Sequence, residues 1–108
     1  MDNNSEYSMI VSMYADKESA KETAKMLVEK RLAACVQMLP VESVYAWRGN
    51  ICDDDEIALF IKTRTGLFDE VAAAIKENHA YEVPEIIQVP ITEGTPEYLK
   101  WIGDCTKG

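Results

Sequence analysis

A chain of 108 residues with 47% hydrophobic content is long enough for one domain, burying about two-thirds of the surface its unfolded form exposes, and too apolar for a disordered segment. Its formal net charge of −8 argues against a general nucleic-acid binder, which needs a basic face, and serves mainly solubility. No apolar run approaches the roughly 18 residues of a membrane span, the opening MDNNSEYSMI lacks a basic n-region, and the three cysteines (Cys35, Cys52 and Cys105) are odd in number and widely spaced; no membrane insertion, no secretory leader and no disulfide framework or zinc cage are expected, and the thiols read as those of a reduced, cytoplasmic protein.

In chain order, residues 1–6 read as a loose polar tail and 7–108 as a single domain. The stretch YSMIVSMYA, residues 7–15, is apolar and β-branched in its middle and predicts a strand. Asp16 then offers a helix N-cap, with Ser19 and Glu22 as an alternative capping box. Ala20, Ala24, Leu27 and Val28 recur on one helical face, Lys17, Lys21, Lys25 and Glu29 on the other, and the helix is expected to end at Lys30 or Arg31. Residues 32–39 (LAACVQML) predict a second strand, with Pro40 a bend or bulge. β-character resumes in SVYAW (43–47), Gly49-Asn50 is a hairpin-turn dipeptide, and 51–63 return as a third strand. Thr65 is placed as the cap of a second helix with Leu67, Val71, Ala74, Ile75 and Asn78 on one face, stopping at Asn78 or His79. Residues 85–89 form a fourth strand between Pro84 and Pro90. Thr95-Pro96 opens a last short helix with the stripe Tyr98, Trp101, Ile102 and Cys105.

The order β-α-β-β-α-β plus a terminal helix predicts an α+β fold, the ferredoxin-like βαββαβ sandwich: an antiparallel sheet with two helices on one face, a long β-hairpin and a C-terminal helix. The hairpin is longer than the compact unit needs and carries Tyr45 and Trp47. It would leave sheet edges unpaired, and another subunit is the natural cover.

For chemistry the residues themselves offer little. His79 is the single histidine; at a helix end it interacts favourably with the last carbonyls. Cys35 in an apolar strand behaves as a small buried hydrophobe. Asp53, Asp54, Asp55 and Glu56 read as a solvated run, because successive strand residues point to alternate faces. Tyr81, Glu82 and Glu85 could share a polar cleft with His79, while Tyr45, Trp47 and Trp101 read as packing aromatics. There is no GxSxG, P-loop or HExxH pattern, so no catalytic residue and no enzyme is expected.

Three stretches carry a family resemblance: VEKRLAACVQMLPVESVYAWRGNI (28–51), EIALFIKTR (56–64) and NHAYEVPEIIQVPITEGTPEYLKWI (78–102). With RLAAC, YEVPEI and YLKWI as its specific runs, the chain resembles the CutA family of divalent-cation tolerance proteins over nearly its whole length. The resemblance implies a cytoplasmic homotrimer of ferredoxin-like subunits whose sheets meet through their edges, a role in tolerance and homeostasis of copper and other divalent cations, and no defined catalytic activity. It also implies a metal site. Cys35 matches one ligand, and Asn78 and His79 match a histidine pair, so Cys35 and His79 are the candidate ligands and copper or another divalent cation the candidate metal. Asn78 is a poor copper ligand. The chain departs from the family pattern at Ala80, where proline is usual, at Ala46, in place of the first of two hairpin aromatics, and at Arg48, where an acid is usual. The alternative reading is a trimeric signalling or scaffold module that binds a small ligand or a protein at inter-subunit clefts, by analogy of plan with the PII nitrogen-signalling proteins.

Overall fold

The hydrophobic alternation of the described residues is used by a single four-stranded sheet. The computed structural model describes residues 5–108. Its elements are β1 (Tyr7–Tyr14), α1 (Lys17–Glu29), β2 (Cys35–Trp47), β3 (Asn50–Arg64), a 3-10 turn (Thr65–Leu67), α2 (Phe68–Asn78), β4 (Ile86–Pro90) and α3 (Pro96–Cys105). The strands run β2-β3-β1-β4 and every pairing is antiparallel, the ferredoxin-like order. Of the expected tail, 1–4 lie outside the described residues; Glu6 accepts from the Thr65 backbone N–H at 2.9 Å.

Period 2 sends Ile10 and Tyr14 of β1, Leu59 and Ile61 of β3, and Val36 and Met38 of β2 to one face. There they meet Ala20 and Leu27 of α1 and Val71, Ala74 and Ile75 of α2. α1 begins as its sequence predicts. The Asp16 carboxylate accepts from the Ser19 N–H at 2.7 Å, and these bonds to Ser19 hold its carboxyl below the usual range. It ends in a Schellman arrangement: Leu32 N–H donates to Leu27 O at 2.9 Å and Arg31 N–H to Val28 O at 3.0 Å, with Arg31 at φ 59° in a position that glycine usually takes. This motif draws Leu32 back onto Leu27, so Leu32, Ala33 and Ala34 are buried as coil and the second strand starts at Cys35 instead of at residue 32. Thr23 is buried on α1, whereas Val28, expected inside, is 42% exposed.

Two further expectations are corrected. Pro40 marks neither bend nor bulge: the β2–β3 register runs unbroken from Cys35↔Lys62 to Trp47↔Asn50, because β2 is an edge strand and a missing N–H there costs no ladder bond. That register also moves the hairpin turn to Arg48 and Gly49, both at positive φ (51° and 82°), as a primed two-residue turn requires. Thr65 does not cap α2. Its hydroxyl donates to Ser5 O at 2.8 Å and lies 2.6 Å from the Ser8 hydroxyl, and the 3-10 turn leads into the helix instead. Asn78 ends α2 exposed, its amide donating to Ala74 O at 3.2 Å.

The opposite face of the sheet is covered at one end by α3. Gly103 sits so close that a Cβ there would lie 2.8 Å from the Tyr7 hydroxyl and 3.2 Å from Arg64 Nη2. Arg64 cannot swing away freely: it donates to Gly103 O at 2.8 Å and to Thr106 Oγ1 at 3.1 Å. Gly103→Val is therefore expected to destabilise by about 1–3 kcal/mol through overpacking, against a gain of only a few tenths from helix propensity; a lower urea midpoint is the readout.

Candidate functional site

His79 is held on both ring nitrogens. Nε2 lies 2.6 Å from Met13 O and Nδ1 accepts the Tyr81 backbone N–H at 3.1 Å. A carbonyl only accepts and an amide N–H only donates, so the ring is the neutral tautomer with its proton on Nε2. Tyr14 and Tyr81 flank it, with ring centroids 4.2 and 4.6 Å away. The residue thus ties the end of β1 to the loop after α2, and a metal at either nitrogen would displace one of these bonds.

Cys35 sits elsewhere. It faces Lys62, which pairs onward with Met9, whereas His79 is bonded to Met13. Four residues along a strand are about 13 Å, and the two strand steps across add about 10 Å. Within one subunit the two candidate ligands therefore do not meet. Among the described residues no group of three His, Cys, Asp or Glu side chains is arranged to hold a metal ion. The copper ligand set implied by the resemblance does not fit a single subunit.

What the fold does bring together is Tyr45, Trp47, Tyr81, Glu82 and Glu85, with Glu56 and Met13 at the floor, in a cleft of about 730 Å³ between the hairpin and the loop before β4. Tyr45 and Glu56 share a sheet face because they occupy odd β2 and even β3 positions in this register. Glu56 is buried, at 8% exposure, and its Oε2 accepts the Tyr81 hydroxyl at 2.7 Å. Tyr45 donates to Asp54, and at the rim Arg48 pairs with Glu82 at 2.7 Å, both exposed. Glu56 is the residue that sequence reasoning missed by grouping it with its solvated neighbours. The available signal was its place two residues before Ala58, on the same face and at the edge of the apolar IALF run. Trp101 lies away from this cleft, 5.5 Å from Tyr98 on α3.

Burial, then the hydrogen bond and charge of Glu56, push the Tyr81 phenol well above its ordinary range; the bond to Asp54 raises Tyr45 to about 12. Unfolded tyrosines titrate near 10. A raised folded value means that the stabilisation is complete below about pH 10 and is lost as pH climbs through the folded values. Tyr81→Phe removes the donor to a buried carboxylate. It is expected to cost about 1–3 kcal/mol at neutral pH and to lessen the fall in stability between about pH 9 and pH 11, read from denaturant midpoints at both.

Among the described residues no helix is long and apolar enough to cross a membrane. The family model for the CutA1 divalent ion tolerance protein matches residues 8–105. The divalent-cation tolerance protein CutA of Thermus thermophilus is 46% identical over 90 residues, 82% of this chain and 87% of that protein. The chloroplastic protein CutA of Arabidopsis thaliana is 42% identical over 93 residues, 85% of this chain and 51% of its own length; the chain spans about half the length of this relative and of the mouse one, which is covered to 50%. Among solved structures, CutA1 from Shewanella sp. SIB1 superposes with a TM-score of 0.92 at 39% identity, covering 96% of this chain and 98% of that one. A periplasmic divalent cation tolerance protein CutA from Archaeoglobus fulgidus gives 0.91 at 38%, covering 94% and 99%. With the family model, the sequence identities and the superpositions all in agreement, the chain belongs to the CutA1 divalent ion tolerance protein family.

Proposed function

We propose that this protein works in the cytoplasm as a homotrimer in divalent-cation tolerance, without catalysing a reaction. The carrying observation is the pair of open sheet edges, β2 and β4, beside an exposed apolar surface on the face opposite α1 and α2, where Leu39, Ile87 and Val89 stand 41–49% exposed. Edges and patches of this kind are normally covered. Joining one copy's β2 edge to the next copy's β4 edge is a head-to-tail contact, which closes into a ring when the rotation allows. The three free thiols suit a reducing compartment. Sedimentation at micromolar concentration tests the assembly: three times the subunit mass is expected, and a stable monomer overturns it.

In this assembly Cys35 and His79 could act on copper or another divalent cation only as residues of different subunits, and His79 would have to release one hydrogen bond. Copper titration of the reduced trimer by calorimetry, repeated with Cys35→Ala and His79→Ala combined, decides the matter; unchanged affinity removes the pair. A second reading, a trimeric module that takes a small ligand at inter-subunit clefts, is favoured by the cleft itself, which opens beside the uncovered sheet face and has the volume of a small-molecule site.

A further inference from the structure

The cleft under the hairpin has a chemistry of its own. Among the described residues its ionisable lining includes the carboxylates Glu42, Glu56, Glu82 and Glu85 and no lysine or arginine. The nearby guanidinium of Arg48 is engaged by Glu82 at the rim. An anion would meet uncompensated negative charge there. Three aromatic rings, those of Tyr45, Trp47 and Tyr81, share the wall. The Trp47 ring is already presented to a cation, since the Arg48 guanidinium lies 5.3 Å from its centroid. Aromatic faces attract cations more strongly once these are partly desolvated. A bare metal ion is the poorer occupant, because it needs several ligands converging to within about 2.0–2.6 Å of one point. No three acidic, His or Cys side chains among the described residues converge in that way. Glu56 keeps capacity for a ligand: the Tyr81 hydroxyl engages its Oε2, and a carboxylate can accept about four hydrogen bonds. The buried, acceptor-rich floor, the aromatic wall and a volume of about 730 Å³ suit an occupant with an apolar body and positive ends.

We propose that this cleft binds a small organic cation of the alkylammonium or guanidinium class, with Tyr45, Trp47 and Tyr81 around its body and Glu56 and Glu85 receiving its charged N–H groups. This rests on the small-ligand reading above and names its ligand class. The test uses 1,5-diaminopentane as probe, titrated calorimetrically into the assembled full chain at about 0.1 M salt, where long-range attraction is largely screened. The neutral 1-pentanol and magnesium ion are titrated in parallel. Saturable binding of the diamine at one per subunit, with Kd of about 1 mM or below, is expected. It should weaken about tenfold in Glu85→Gln and in Trp47→Leu, each confirmed by sedimentation to stay assembled because the two positions flank the edges that join subunits, and stay unchanged in Glu18→Gln on α1. Absence of saturable heat overturns the proposal. So does equal weakening by Glu18→Gln, which would mean general attraction to an acidic protein, or magnesium binding that is as tight and equally lost in Glu85→Gln. If 1-pentanol or an anion binds instead and Trp47→Leu abolishes it, the cation class falls while the small-ligand reading stands.

Discussion

Ile87→Lys is expected to turn the assembly into a folded monomer. Ile87 is 49% exposed in the single subunit, on the sheet face away from α1 and α2, and pairs with Val11 of β1. In an isolated subunit a lysine there keeps its ammonium in water, so the fold should change by no more than about 0.5 kcal/mol. In a trimer closed over this face the same ammonium loses its hydration, which costs several kcal/mol for each copy. The asymmetry makes the measurement clean. Sedimentation should show one subunit mass while circular dichroism keeps its helix and strand signal, and Ile87→Val should remain assembled. An Ile87→Lys variant that still sediments as a trimer would mean that subunits meet through another surface.

Ile61→Ala is expected to have the largest effect on the subunit itself, about 2–5 kcal/mol. Ile61 is fully buried in β3, between its register partners Ile10 of β1 and Val36 of β2. Removing three carbons leaves a void walled by two neighbouring strands that are fixed by their own ladders, so collapse is limited. A domain of this size has only about 5–15 kcal/mol of net stability, and the loss is therefore a large fraction of it. The urea midpoint should fall with little change in slope. It must be compared at one protein concentration, since assembly adds to apparent stability by mass action. Val28→Ala on α1, where the side chain is 42% exposed, should stay within about 0.5 kcal/mol.

Much of the architecture was legible because it is written in short-range patterns. Asp16 caps α1 through a carboxylate that reaches three residues ahead, which depends on nothing outside that turn. The same holds for the end of α2 at Asn78 and for Pro96 at the first turn of α3. Alternation in YSMIVSMY and in the second half of β3 assigned strands, and their order around two helices assigned the ferredoxin-like plan. Errors arose where a local signal had a long-range competitor. Gly49-Asn50 resembles a hairpin dipeptide, but the β2–β3 register places the turn one residue earlier. Thr65 resembles a cap, but Ser5 and Ser8 claim its hydroxyl.

The site divides along the same line. By itself the sequence determined the elements, the family resemblance, and a histidine at the end of a helix beside the YEVP run, because caps, 3.6- and 2-residue periods and motif runs are properties of neighbouring residues. Only the tertiary structure decided what those residues touch. His79 reaches Met13 across 66 positions and Tyr81 reaches Glu56 across 25, contacts that exist because β1 lies between β3 and β4 and because the hairpin folds over the loop before β4. The same strand order holds Cys35 away from His79 and gathers rings and carboxylates from β2, β3 and that loop into one cleft. The physical reason is that pairing register and strand order are set by burying the whole apolar face at once, a condition that no local stretch of chain contains.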